Sequence, residues 1–237
     1  ESAFSVTPLL DKIKKGYSLM CIIRKAGELG TCVASPGDVI IRKGNVEYTP
    51  ATYLNLMPNN RICVGALKEF ANFAFEDFRN LDEDSKNFVI RSGRFVICPL
   101  DSSYRITHNF PNDDSMRLPG YTTYVRMTDL ERLLDNCPDD VDKEGVVREV
   151  RKTIARGQEV LRRNYVRIAP TDTEFTALFG LALWNDEIMT VNENLLRIST
   201  RNRAAIMKEL HVYYTQQGQL DYAERLGNLF CLLVNYQ

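Results

Sequence analysis

The chain has few of the residues on which enzymes and metal proteins usually depend. Its 237 residues include two histidines, His108 and His211, and six cysteines with no C-x-x-C pair. A structural zinc site needs four closely placed nitrogen or sulfur ligands, and this inventory does not provide them. The same scarcity leaves Ser/His and Cys/His nucleophile pairs without support. Neither a glycine-rich phosphate loop nor an H-E-x-x-H helix occurs. No apolar run approaches the ~20 residues of a membrane-spanning helix. The start, ESAFSVTPLL, has neither the basic opening nor the long apolar core of a signal peptide. It also lacks an initiator methionine, so a fragment or processed product is expected. Neither sign of charge dominates, with 30 Lys plus Arg against 31 Asp plus Glu. That balance leaves no basic footprint for holding nucleic acid directly. Catalysis, metal and cofactors are therefore not expected.

What is present is ordinary globular material. Hydrophobic residues make up 44% and charged residues 26%, enough for one large domain with a substantial core. Cys21, Cys32, Cys63, Cys98, Cys137 and Cys231 each fall in a different segment, mostly among apolar neighbours. That distribution suits reduced thiols in an intracellular protein better than a disulfide framework.

Apolar periodicity predicts helices over 8–29, 61–76, 84–98, 142–166, 192–216 and 219–236. Gly27 and Gly30 are expected to end the first. Pro99 can start, kink or end a helix at that point. Two capping-box patterns, Thr128-x-x-Glu131 and Thr171-x-x-Glu174, each announce a helix start. Residues 106–127, with Pro111 and Pro119-Gly120, read as a small β-hairpin, and Val39 to Ile41 as a short strand or loop. No repeat or linker interrupts the chain. Residues 1–237 are expected to form a single all-α domain with a small β insertion.

Two segments carry more than periodicity. Glu174 to Asn185 reads E-F-x-x-L-x-x-L-x-L-W-N, and about forty residues later Arg225 to Leu233 reads R-L-x-N-L-x-x-L-L. Each is apolar, and each is headed by one charge that a core helix does not need. Earlier in the chain, Phe78, Leu81, Asp84, Val89, Ile90 and Arg91 stand at matching places in a helix-joining signature. The chain thus resembles the ligand-binding domain of nuclear receptors, and in the form E-D-F-x-x-L-x-x-D-x-K it is most similar to the expanded nematode receptors related to the hepatocyte nuclear factor group. Lys86 stands where many receptors have glutamine.

The resemblance implies a three-layer helical sandwich with a small β-hairpin. It implies a ligand-regulated transcription factor domain in the nucleus that binds a small lipophilic ligand, coactivator or corepressor peptides, and a homodimer or heterodimer partner. DNA would be reached only through a separate domain absent from this chain, and the terminal activation helix would lie beyond Gln237. No membrane attachment is implied.

Carried over in register, the resemblance places Arg105 where related receptors hold an acidic, fatty-acid-like ligand. A guanidinium in an apolar pocket binds a carboxylate through paired, charge-assisted hydrogen bonds. The plain alternative is a solvated residue opening the hairpin. Phe95, Cys98 and Ser102 would face the same pocket, with Leu56 and Cys63 from the preceding helix, although each also fits ordinary core. In the coregulator groove the usual lysine is replaced by Asn72 or Phe73, and Arg91 is a second cation. Glu174 and Arg225 are expected to form an ion pair between helices, although Glu174 also suffices to close its own capping box. Leu130 to Leu134 and Leu229 to Leu233 both spell L-x-x-L-L, which in a helical domain is expected to be core packing. The alternative function is a ligand-independent helical interaction scaffold with a core filled by side chains.

Overall fold

The computed structural model describes residues 5–32, 37–154, 159–185, 192–219 and 221–235. The chain divides into two compact units. One comprises Glu1–Met20, Leu67–Leu100 and Arg167–Gln237, the other Cys21–Ala66 and Asp101–Val166.

Helix α1 spans Pro8–Thr31, α2 Tyr53–Ala74, α3 Glu76–Arg79 and α4 Glu83–Asn109. Helices α5 (Lys143–Thr153), α6 (Glu159–Ile168), α7 (Asp172–Leu183), α8 (Glu193–Gln216) and α9 (Ala223–Asn235) follow. Strands β1 (Ile41–Lys43), β2 (Val46–Pro50), β3 (Met116–Arg117) and β4 (Thr123–Arg126) make a mixed sheet in the order β1-β2-β4-β3. The chain is thus mostly helical with a small sheet.

In the first unit, α7 is buried from Glu174 to Leu183, as expected of a helix that is apolar on every side. Phe70 and Phe179 meet edge to face at 5.0 Å, and Phe75 meets Trp184 at 5.5 Å. Gly93 on α4 lets two backbones touch. A Cβ there would lie 3.1 Å from Leu183 Cα and 3.2 Å from the Ala182 carbonyl oxygen. The Glu209 carboxylate of α8 accepts from the N–H groups of Leu9 and Leu10, satisfying the first turn of α1.

In the second unit, β1 and β2 pair antiparallel, as do β3 and β4, and the parallel β2–β4 pair joins them. Tyr48, Ile106, Phe110, Met116, Leu118 and Tyr124 form the core under the sheet. Ala51, Val125, Leu130 and Ile154 form a second cluster beside the Leu130–Leu134 3-10 helix.

Several expectations are corrected. The hairpin is one half of a four-stranded sheet, because Ile41 to Pro50 adds a second. Residues 106–109 belong to α4, which runs through Pro99. Proline frees the carbonyl of Phe95, four residues earlier, and Phe95 sits on an exposed part of the helix. Gly27 and Gly30 lie inside α1. Gly27 is a packing residue, since a Cβ there would come within 2.9 Å of Ile62 Cγ2. Helix α2 starts at Tyr53 despite Pro58. The Thr128 capping box does not form, and the 3-10 helix that follows has no side-chain cap. The expected helix over 142–166 is described as α5 and α6, with residues 155–158 outside the described set. The second capping box forms in full at Thr171 and Glu174.

Candidate functional site

On α4, Asp101 and Arg105 are four residues apart and so share a face. Both are buried. Arg105 Nε donates to Asp101 Oδ2 at 3.0 Å, and Arg24 Nη1 of α1 donates to the same oxygen at 2.7 Å. The two terminal nitrogens of Arg105 donate to the carbonyls of Tyr121 and Gly120 at 3.2 and 3.0 Å. Glu28, one turn beyond Arg24, accepts from the backbone N–H groups of Tyr121 and Thr122 at 2.6 and 2.8 Å. Gly120 makes that approach possible, because a Cβ there would lie 2.7 Å from Glu28 Oε2. Two buried cations and two buried carboxylates therefore neutralise one another, as burial requires. The Tyr121 ring lies 5.0 Å from Arg105 Cζ and 5.4 Å from Arg24 Cζ, at cation–π distance. Burial pushes the Tyr121 and Tyr48 hydroxyls above the usual tyrosine range, outweighing the nearby Arg105 charge.

Arg105 is thus buried and paired, not a solvated hairpin residue. Asp101 supplies its carboxylate from within the chain. The signal was present in the sequence as an i, i+4 Asp–Arg pair, hidden because the helix was expected to stop near Pro99.

Open cavities in this unit lie beside α5. A groove of about 720 Å³ is walled largely by apolar side chains, among them Leu56, Leu118, Val125, Leu133, Val150 and Ile154. Arg148 and Glu149 of α5 and Arg117 of β3 also line it. An adjoining cavity of about 580 Å³ shares Arg148 and is lined by Lys143, Glu144, Arg151, Lys152 and Glu131. Arg151 pairs with Glu131 at 3.6 Å and Lys152 with Glu149 at 2.8 Å. Among the described residues, Arg148 and Lys143 form no ion pair.

Of the six residues expected around a ligand, Leu56 alone lines the larger groove. Cys63 is buried on α2, and Ser102 donates its hydroxyl to the Leu118 carbonyl at 3.2 Å. Phe95 and Cys98 fall in the other unit. Phe95 is 67% exposed to solvent. It looks outward because α4 turns Val96 and Ile97 inward instead. Arg148 was missed because an arginine on an exposed helix face reads as solvation.

In the first unit, Arg91 and Phe73 are exposed and Asn72 is half-buried. Asn72 Oδ1 is buried without a hydrogen-bond partner among the described residues. Lys68 and Lys86 both reach Glu83. Glu174 is joined to Arg225 by two bonds, Nε to Oε1 at 2.8 Å and Nη2 to Oε2 at 2.6 Å. The Tyr214 hydroxyl donates to Oε1 at 2.6 Å and the Thr171 N–H to Oε2 at 2.7 Å. Burial pushes the Glu174 carboxyl upward, but the hydrogen bonds from Arg225, Tyr214 and Thr171 and the Arg225 charge together hold it below its ordinary value. Arg225 also donates to the carbonyls of Ile168 and Ala169, and so ties α9 to the end of α6.

The chain is thus helical with a small mixed sheet and carries an apolar groove. Residues 66–237 match the family described as the ligand-binding domain of nuclear hormone receptor, and the chain belongs to that family. The family's fold is a helical sandwich, and its members are ligand-binding regulators of transcription and not enzymes. The chain is similar to nuclear hormone receptor family member nhr-16 of Caenorhabditis elegans, with 23% identity over 210 residues, covering 87% of this chain and 51% of that protein. It is similar also to the high zinc activated nuclear receptor protein of the same nematode, with 22% identity over 241 residues, covering 95% and 55%. The chain therefore spans about half the length of these two curated relatives. Among the described residues, no group of three or more His, Cys, Asp or Glu side chains is placed to hold a metal ion, and no helix is long and apolar enough to cross a membrane.

Proposed function

We propose that this chain is the regulatory domain of a nuclear transcription factor, switched by a small lipophilic ligand held in the groove beside α5. The observation that carries the reading is that groove, in a chain of this family. About 720 Å³ falls within the roughly 300–1,000 Å³ usual for small-molecule sites, and mostly apolar walls with a few polar groups are the usual lining. Coactivator or corepressor peptides would dock on the surface carrying Asn72, Phe73 and Arg91, a helix-in-groove mode of recognition. Absence of a lysine at that place points to a modified peptide clamp. A homodimer or receptor heterodimer would form through α8 and α9, where Cys231 and Val234 are exposed. DNA would be contacted by a segment outside these 237 residues, in keeping with the balanced charge.

Mass spectrometry of an organic extract of the purified, folded protein tests the ligand. A lipophilic compound recovered in molar ratio, and displaced on adding fatty acid, is the expected result. A second reading, a ligand-independent interaction scaffold, draws on the internal pairing of Arg105 with Asp101. It predicts an empty extract and a transcriptional response to partner peptides that added lipid does not alter.

A further inference from the structure

We infer that the acid-recognising residue of this domain is Arg148 on α5, and that the groove takes a single-chain lipid with a carboxylate head. The inference rests on the ligand-binding reading above and adds the ligand's polar end and the residue that meets it. Three observations carry it.

First, Arg105 is already committed to oxygens of the protein. Nε, Nη1 and Nη2 each already donate to an oxygen of the protein, one of them the Asp101 carboxylate. A second carboxylate there would meet Asp101 at close range, and two like charges in a buried site disfavour one another. Second, the larger groove has charged groups at its wall, and all but one are accounted for. Asp142 accepts from the Gly145 N–H as the N-cap of α5, Glu149 pairs with Lys152, and Arg117 donates to the carbonyls of Asp114 and Met116. Arg148 is the remaining charge, and it makes no ion pair among the described residues. Third, Arg148 lines both cavities. The smaller one is lined by four cations, Lys143, Arg148, Arg151 and Lys152, against two carboxylates, Glu131 and Glu144. An acyl chain therefore has an apolar wall to cover, and its head group meets a net positive site at the shared residue. A guanidinium suits a carboxylate best because it offers two parallel N–H donors.

The test measures binding of palmitic acid, its methyl ester and the corresponding alcohol to the purified chain by displacement of a fluorescent fatty acid. The unmodified protein should prefer the acid roughly tenfold to a hundredfold, the difference a charge-assisted bond makes over a neutral contact. Arg148→Ala should erase that preference and leave ester binding unchanged. Arg148→Glu should favour the ester. Both variants should fold, since the residue is exposed and makes no ion pair among the described residues, and circular dichroism checks this. Arg105→Lys serves as the control and should keep the preference. An acid preference that survives Arg148→Ala and disappears in Arg105→Lys overturns the assignment while leaving the ligand-binding reading intact. Binding of all three lipids with equal affinity also overturns it. Failure of the unmodified chain to bind any of the three overturns both readings.

Discussion

Glu174 completes the capping box of α7 through Oε2 and at the same time receives a bidentate bond from Arg225 of α9 on both oxygens, at 2.8 and 2.6 Å. The carboxylate is 2% exposed, whereas the guanidinium is 32% exposed. Arg225→Ala therefore leaves a buried carboxylate facing only Tyr214 and the Thr171 N–H. Stranding one partner of a buried pair costs about 3–5 kcal/mol, and the partial exposure of Arg225 lowers this to about 2–4 kcal/mol. Glu174→Gln keeps shape and some hydrogen bonding and should cost less. Urea unfolding followed by fluorescence measures both. Trp184, the single tryptophan, is fully buried against Phe75 and Phe78 and reports the transition.

The same site makes stability depend on pH. The folded carboxyl of Glu174 is held below the ordinary 4.5. A lowered folded pKa means that the unfolded chain binds protons more readily, so unfolding is favoured as pH falls. The contribution of this group is complete above about pH 4.5 and is lost as pH drops through the folded value. In Glu174→Gln the stability–pH curve between pH 5 and 3 should be flatter than in the unmodified protein. An equally steep curve would assign the acid sensitivity to other carboxylates.

What was readable in advance, and what was not, follows from the range of the interactions involved. Helix α7 was legible because its start is signalled locally by Thr171 and Glu174 and its body is apolar throughout. The length of α4 was hidden because Pro99 is a breaker locally, and only burial of Leu100, Asp101 and Ile106 keeps the helix going. The parallel contact of β2 with β4 joins Thr49 to Thr123, and no local pattern encodes a pairing over that separation. Leu56 lines the groove from the first turns of α2, which start ahead of the helix that apolar periodicity marks over 61–76. Asp101 was missed with the end of α4, and Arg148 because its value lies in the cavities around it.

Two glycines in helices should respond oppositely to alanine. Gly93→Ala places a methyl 3.1 Å from Leu183 Cα and 3.2 Å from the Ala182 carbonyl. Backbone atoms cannot swing aside, so overpacking should destabilise by about 1–3 kcal/mol despite the gain in helix propensity. Gly65→Ala meets nothing within 4 Å and should stabilise by about 0.5–1 kcal/mol through the unfolded chain. Thermal unfolding of the two single variants decides the matter, and a stabilised Gly93→Ala would show that α4 and α7 can separate.

The exposed end of α9 should control self-association. Val234 is 66% exposed, next to buried Leu232 and Leu233. An apolar side chain in water gains by covering itself, and isologous pairing is the commonest way to do so. Val234→Lys should weaken the dimer at least tenfold in sedimentation equilibrium with no change in monomer stability. A protein that stays monomeric at high micromolar concentration would remove α9 as the pairing surface.

The network around Asp101 provides the strictest test of internal pairing. Asp101→Asn removes the charge that Arg24 and Arg105 share, leaving Glu28, 3.6 Å from Arg24, as the nearest carboxylate of the four-charge network. Two buried guanidiniums with half their compensation should cost about 3–5 kcal/mol. Arg105→Met alone should also be costly, because it frees the Gly120 and Tyr121 carbonyls and unbalances Asp101. The double variant should lose less than the sum of the two, since each change removes what the other strands. A coupling energy of about 1–3 kcal/mol is expected for groups in one such network. Urea unfolding of the four proteins completes the cycle. Strict additivity would mean that Arg105 and Asp101 do not rely on each other. The Arg105 guanidinium would then again be available to an acid from outside.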